Sequence, residues 1–185
     1  MKAYLDSGVF IDFLTSRGQA FAYLRSTKRR GREPERLRTD AEACLTAIRD
    51  RHIGATSAIT CWELEEAMYR ELVRRSVPGE PIAKHLIIRV ARDLVTHTLL
   101  TLDLFGMEWI DLTRRIIDAH CSNLLLQHRG IRAADALHVT TALAEGAELL
   151  ITTDANLIRL DNVFENSDGA SLRCVDTDHA LSLLA

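Results

Sequence analysis

Residues 3–14 read AYLDSGVFIDFL, and the fold turns on how they are parsed. Ala3 to Leu5 suit a short buried strand, whereas after Asp6 the apolar Val9, Phe10, Phe13 and Leu14 recur at helical spacing. A strand that ends on an acid and turns at once into a helix opens a βα unit. The alternation continues outward from it. Ala41, Cys44, Leu45 and Ile48 share a helical face, and Ile53 to Ala58 (IGATSA) reads as a strand. Ser57 or Thr60 could cap the helix that follows through CWELEEAMYRELVRR. PGEP at 78–81 breaks that helix, and Pro81 suits the first turn of the next, which is expected to run to about Val95. His97 to Leu102 (HTLLTL) reads as a third strand. Glu108 to about Gln127 reads as one long helix, with Leu112, Ile116, His120 and Leu124 spaced by four and Gly130 ending it. Ile131 to Glu145 is an Ala-rich helix closed by Gly146, and Leu149 to Thr152 (LLIT) is a buried-looking strand followed by a helical turn at 155–160. Leu172 to Val175 and a short helix complete the chain. Strands separated by helices predict parallel βαβ units, hence an α/β fold with a parallel sheet of four to five strands between helices.

The composition agrees with one domain spanning 1–185. A chain of 185 residues with 47% hydrophobic and 26% charged residues can bury ~70% of its unfolded surface. Its longest apolar run, Ala20 to Leu24, is far short of the ~20 residues of a membrane span. Asp6 and Asp12 interrupt the only early apolar stretch, so no secretory signal and a cytoplasmic location are expected. Cys44, Cys61, Cys121 and Cys174 show no paired spacing, which predicts reduced thiols and no zinc. The net charge of -3 excludes an overall field that grips polyanions. One local exception runs from Arg17 to Arg38, where Arg17, Arg25, Lys28, Arg29, Arg30, Arg32, Arg36 and Arg38 outnumber Glu33 and Glu35. Such a run is either a solvated connection or a phosphate contact, with Lys28, Arg29, Arg30 and Arg32 the candidate RNA-binding cations.

Ligands of open parallel sheets bind beyond the carboxyl ends of the strands. Asp6 directly follows the first strand, and Asp154 comes two residues after LLIT. Glu63 lies early in the helix after the second strand, and Asp135 early in the Ala-rich helix. Each has a bland alternative as a cap or a helix-dipole partner. In the helix at 61–75, Glu66 faces Arg70 and Glu71 faces Arg75 at i,i+4. Glu63 has Ala67 at that position and Glu65 lies further along beside Met68, so Glu63 is the better candidate. Converging acids repel one another unless a cation neutralises them, and all-oxygen ligation selects Mg²⁺ or Mn²⁺.

At these residues the sequence resembles the PIN-domain nuclease family, and within it the VapC-type toxins of toxin–antitoxin pairs. YLDSGVFIDFL is similar to the family's opening strand–Asp–[Ser/Thr] element, and TSAITCWELEEA to its Ser-x-x-Thr-x-x-Glu-Leu helix start. AADALHVTTAL resembles the Ala-rich helix with the third acid, and LLITTDANL the final strand–Thr-x-Asp turn. The resemblance implies a PIN-like fold and an acidic metal site of Asp6, Glu63, Asp135 and Asp154, with Ser7 and Thr152 as supporting hydroxyls. His138 is expected to be a packed helix residue rather than a ligand. Asn156 stands where family members often carry a further Asp, and the surplus length falls in a basic helical elaboration around 17–50.

The implied activity is Mg²⁺- or Mn²⁺-dependent endoribonucleolytic cleavage of RNA that leaves a 5′-phosphate. The implied partners are a small antitoxin protein and a second copy of the chain. Three rivals stand beside it: a noncatalytic PIN-fold module that holds RNA or protein, a housekeeping PIN nuclease, and a phosphate hydrolase with an aspartate nucleophile. The last would want a second Asp where Gly8 stands. No Ser-His-Asp or Cys-His set sits in a nucleophile-elbow context, which disfavours covalent catalysis.

Overall fold

The computed structural model describes residues 1–15, 21–24, 28–75 and 83–185. Arg17, Arg25 and the PGEP stretch lie outside the described residues. In chain order the elements are β1 (Lys2–Leu5), α1 (Ser7–Leu14), a 3₁₀ turn (Phe21–Leu24), α2 (Pro34–Arg51), β2 (Ile53–Ser57), α3 (Ala58–Arg75), α4 (Lys84–Leu104), β3 (Glu108–Ile110), α5 (Arg114–Ser122), α6 (Leu124–His128), α7 (Ala133–Ala144), β4 (Leu149–Ile151), α8 (Ala155–Ile158), β5 (Arg173–Val175) and α9 (Thr177–Leu183).

The five strands form one parallel sheet in the order β3-β2-β1-β4-β5, as the α/β reading predicts. Alternation along β1 explains why helices cover both faces. Ala3 and Leu5 join the core beneath α1, α2, α3, α4 and α9, whereas Tyr4 points into the opposite core with α5, α6 and α7. β4 repeats this, with Leu149 and Ile151 on the first face and Leu150 on the second. Burial on both sides is why these strands read as unbroken apolar runs. From β1 the chain first builds outward through β2 and β3, then returns to add β4 and β5 on β1's other side. The crevice between the carboxyl ends of β1 and β4 is therefore the topological switch point.

Three expectations fail. HTLLTL is the end of α4 and not a strand: Leu94, Thr98, Thr101 and Leu102 form a buried stripe at i, i+4, i+7 and i+8. A short apolar run fits either period, and burial by neighbouring helices decides. The third strand is instead Glu108–Ile110, inside the expected long helix, and of its three residues only Ile110 is buried. Thr113 then caps α5 by accepting from the Ile116 N–H, and Asn123 interrupts the helix to cap α6. Nor do Ser57 and Thr60 serve as side-chain caps of α3. Their hydroxyls bond Tyr4 Oη at 2.7 Å and Thr56 Oγ1 at 2.7 Å.

Gly8 has a steric reason to be glycine. A Cβ there would lie 1.9 Å from Thr153 Oγ1, so the turn after β4 closes directly on the start of α1. An aspartate at position 8, as the aspartate-nucleophile reading needs, has no room. Gly8→Ala is expected to lower stability by about 1–3 kcal/mol, the usual cost of overpacking. Urea denaturation checks this, and an unchanged midpoint would mean that the Thr153 turn yields freely.

Candidate active site

Asp6 leaves β1 with extended backbone and caps α1. Its Oδ1 accepts the Gly8 N–H at 2.9 Å, and its Oδ2 accepts a short bond from the Thr152 hydroxyl. Thr152 in turn accepts the Asp154 N–H at 3.0 Å, which ties the ends of β1 and β4 together. Asp6 is only 5% exposed, and burial, reinforced by the charge of Glu63, pushes its carboxyl up to about 6, although His138 and Thr152 pull the other way. Asp154 caps the short α8, its Oδ1 accepting the N–H groups of Asn156 at 2.6 Å and Leu157 at 3.3 Å. The side chain of Asn156 is exposed.

Glu63 projects from the second turn of α3. Its Oε2 accepts both the Ser7 hydroxyl at 2.6 Å and His138 Nε2 at 2.8 Å, while among the described residues nothing bonds Oε1. Burial raises the Glu63 carboxyl, but the bond and charge of His138 and the Ser7 bond outweigh it and hold the group below its usual range. Asp135 stands in the first turn of α7, and no described residue hydrogen-bonds its carboxylate. Burial raises its pKa first, and the charges of Asp154 and Glu63 add to the effect. The other glutamates of α3 are neutralised as their spacing predicts, Glu66 by Arg70 at 2.6 Å and Glu71 by Arg75, while Glu65 meets Arg92 at 3.3 Å.

Glu63, Asp135 and Asp154 therefore line one open cleft of about 390 Å³ at the switch point, together with Ser7, Arg132 and Trp62. Asp6 lies behind it. The PIN domain family model matches residues 3–163, spanning all four acids.

The chain belongs to the PIN domain family.

PIN domains are generally nucleases that use divalent metals. Among solved structures, VapBC2 from Rickettsia felis, crystallised with a DNA fragment from their promoter, is similar at 14% identity and a TM-score of 0.48, over 94% of this chain and 98% of that one. No curated protein matches.

The donor chemistry of this PIN cleft fits a hard cation. Its free atoms are carboxylate oxygens of Glu63, Asp135 and Asp154; the charges of Asp154 and Glu63 help raise the Asp135 pKa, and among the described residues no guanidinium stands within ion-pair distance of the three. Among the described residues no three His, Cys, Asp or Glu side chains stand close enough to grip one ion together. Mg²⁺ does not demand such a cage, since it is commonly held by one or two carboxylates and keeps several waters.

His138 has a role that its sequence position did not reveal. His138 is buried, as a packed residue should be, yet its Nε2 holds Glu63 and its Nδ1 lies 2.8 Å from Tyr4 Oη. Tyr4 continues to Ser57, so a buried hydrogen-bonded chain runs Ser57–Tyr4–His138–Glu63–Ser7. Burial lifts the Tyr4 phenol well above its usual range, keeping it a neutral link. The available sequence signal was that His138 sits at i+3 from Asp135, on the same side of α7.

The basic segment also needs correction. Arg29 and Arg32 are the flanks of a tight hairpin, paired by Arg29 N–H to Arg32 C=O at 3.1 Å and the reciprocal bond at 3.0 Å. Its central residues, Arg30 and Gly31, both have positive φ, 49° and 77°. The hairpin aims both flanking guanidiniums inward. Arg29 meets Asp12 at 2.7 Å and Asp176 at 3.1 Å, whereas Arg32 meets Asp40 at 2.8 Å and makes a short contact with Asp176. Side chains only 13% and 12% exposed and committed to three buried acids cannot also face phosphate. Arg30 is half-exposed but reaches Asp176 at 3.3 Å, and Lys28 pairs with Glu33 at 2.5 Å. The described residues of the 17–50 region thus form a 3₁₀ turn, a hairpin and nearly all of α2.

Proposed function

We propose that this chain is a Mg²⁺- or Mn²⁺-dependent endoribonuclease, the toxin of a toxin–antitoxin pair, restrained by a small antitoxin protein and active as a homodimer in the cytoplasm. The observation that carries the reading is the cleft itself: in a PIN domain, three carboxylates, none ion-paired with a described Lys or Arg, line one opening at the switch point. The resemblance of the four motifs to VapC-type toxins supports the toxin role. No helix among the described residues is long and apolar enough to cross a membrane.

Glu63, Asp135 and Asp154 would hold the cation, with Asp6 behind them bracing the turn through Thr152. A bound Mg²⁺ or Mn²⁺ lowers the pKa of its water and offsets charge on phosphoryl oxygens. Ser7 and His138 keep Glu63 ionised and turn its Oε2 inward, so that Oε1 is the oxygen left for the cleft. Arg132, exposed at the rim, favours approach of a phosphate to an otherwise acidic opening.

Incubating the full chain with single-stranded RNA in Mg²⁺, Mn²⁺ or EDTA tests this. Cleavage to 5′-phosphate ends in either metal, abolished by EDTA, is the expected result. The rival noncatalytic module draws some support from Asp6, whose two oxygens are both hydrogen-bonded, and binding of RNA without cleavage in either metal would favour it. Cleavage without an adjacent antitoxin gene would point to a housekeeping nuclease.

The His138 contact yields a separate prediction. His138→Ala is expected to weaken Mn²⁺ binding about 10- to 100-fold, the usual effect of losing a group that orients a metal ligand. Calorimetric titration checks this, with circular dichroism confirming the fold. Unchanged affinity would reduce His138 to a packing residue.

A further inference from the structure

Tyr4 is buried in β1, on the sheet face that α7 covers, and does not line the acidic cleft. A phenylalanine would fill the same core position with no hydroxyl to satisfy, and a buried hydroxyl is costly unless it is bonded. The Tyr4 hydroxyl reaches side chains of two other elements, Ser57 Oγ at the end of β2 at 2.7 Å and His138 Nδ1 on α7 at 2.8 Å. The two rings also meet edge-on, with centroids 5.7 Å apart and planes at 62°. The far end of this chain sets the direction of its hydrogens. Glu63 is held below the usual carboxylate range, and an ionised carboxylate only accepts. The bond between its Oε2 and His138 therefore needs a hydrogen on Nε2. A neutral imidazole then has none on Nδ1, which must accept, and Tyr4 is the described residue bonded there. Tyr4 Oη is left to accept from Ser57. Every bond from Ser57 to Glu63 thus points the same way, an arrangement in which successive hydrogen bonds polarise and strengthen one another.

We propose that Tyr4 is a positioning residue for the cation site: its hydroxyl donates to His138 Nδ1 and so fixes the Nε2–H tautomer that presents Glu63 to the cleft. The proposal rests on the reading of Glu63 as a cation ligand and specifies what holds that ligand in place. Carboxylates that bind metals are commonly oriented by hydrogen-bonding partners outside the first layer of ligands. Here the orienting chain is anchored in the sheet, because Tyr4 and Ser57 sit on the adjacent strands β1 and β2. Glu63 is then gripped from two sides, by Ser7 at the start of α1 and by a histidine whose own hydrogen is set from the core. Tyr4 itself is out of reach of the cation, and its influence passes through His138.

Two measurements on the full chain test this. The first is ¹⁵N NMR of the histidine rings in the metal-free wild type at pH 8, with the His138 ring assigned by through-bond correlation to its backbone. A hydrogen on Nε2 and none on Nδ1 is the expected result. A hydrogen on Nδ1 overturns the proposal, because Tyr4 would then accept rather than donate. The second is calorimetric titration with Mn²⁺. Tyr4→Phe keeps the ring in the core, so circular dichroism should be unchanged, and it should bind Mn²⁺ about 3- to 10-fold more weakly, the worth of one hydrogen bond. In a His138→Ala background the same substitution should change the affinity less than about twofold, because the path to Glu63 is already cut. Unchanged affinity of Tyr4→Phe, or equal losses in both backgrounds, overturns the proposal and leaves the phenol a packing residue of the core. A wild-type chain that binds no Mn²⁺ overturns the cation-site reading instead, whereas the ring NMR still decides the direction of the Tyr4 bond.

Discussion

Asp6→Asn should cut RNA roughly 10- to 100-fold more slowly than the wild type or worse, and at pH 8 it should be the more stable protein. Both effects come from a carboxylate confined behind the cleft with Glu63's charge nearby. The pKa of Asp6 rises on folding from 3.8 to about 6, so the folded state holds its proton more tightly than the unfolded state. Folding is then unpenalised below the unfolded pKa, and stability is lost as pH climbs through the folded value. The full cost applies above about pH 7 and is at most ~3 kcal/mol. Asparagine keeps the shape and the capping oxygen without the charge. The stability advantage of the variant should therefore be absent near pH 4, grow through pH 6 and level off at about 1–3 kcal/mol. Metal-free urea denaturation at pH 4.5, 6 and 8 measures it. A variant less stable at pH 8 would show that the carboxylate serves mainly as the cap of α1. Asp135→Asn should also silence cleavage, since it removes a half-buried acid repelled by Asp154 and Glu63.

Asp176→Asn should cost about 3–5 kcal/mol of stability while leaving the cleavage rate per folded molecule and the salt dependence of RNA binding unchanged. Asp176 caps α9 and receives Arg29, Arg30 and Arg32 together. Removing its charge leaves the nearly buried Arg29 and Arg32 with Asp12, Asp40 and the more distant, exposed Asp178 to balance them. Burial works against the Asp176 carboxylate, but the charge of Arg29, the Arg32 bond and the Thr177 N–H overcome it and hold the pKa below its usual range. The stabilisation is therefore present above the unfolded carboxylate pKa and disappears as pH falls through the folded value. Wild type and variant should converge in acid, as chemical denaturation from pH 7 to pH 3 would reveal. Were these arginines phosphate contacts instead, Arg29→Gln or Arg32→Gln would spare stability and flatten the RNA salt slope by ~0.7 each. That outcome would refute the internal network.

Elements specified by their own neighbours could be read directly. The βα alternation, the Gly130 and Gly146 stops and the elimination of Glu66 and Glu71 by partners four residues away all depend on interactions within a few residues. The acids at 6, 63, 135 and 154 were legible for a related reason, because strand ends and first helical turns mark the sheet edge where such a crevice opens. HTLLTL was not legible, since a short apolar run fits a strand or a buried helix equally and only packing against α3 decides. The hairpin at 29–32 was equally opaque, because the acids it serves stand up to 147 residues away.

By itself, then, the sequence determined a parallel α/β chain, the sheet-edge positions of the four acids, and Glu63 as a glutamate near the start of α3 with no helical cation partner, since each follows from spacing along one element, while its four motifs carried the resemblance to the PIN family. Only the tertiary structure decided which carboxylate oxygens remain free, that His138 reaches from Tyr4 to Glu63, and that Arg29 and Arg32 point inward rather than at RNA. Those outcomes depend on which distant side chains meet in a desolvated space, where a charge must find an opposite charge or a hydrogen bond, and no local spacing encodes that meeting.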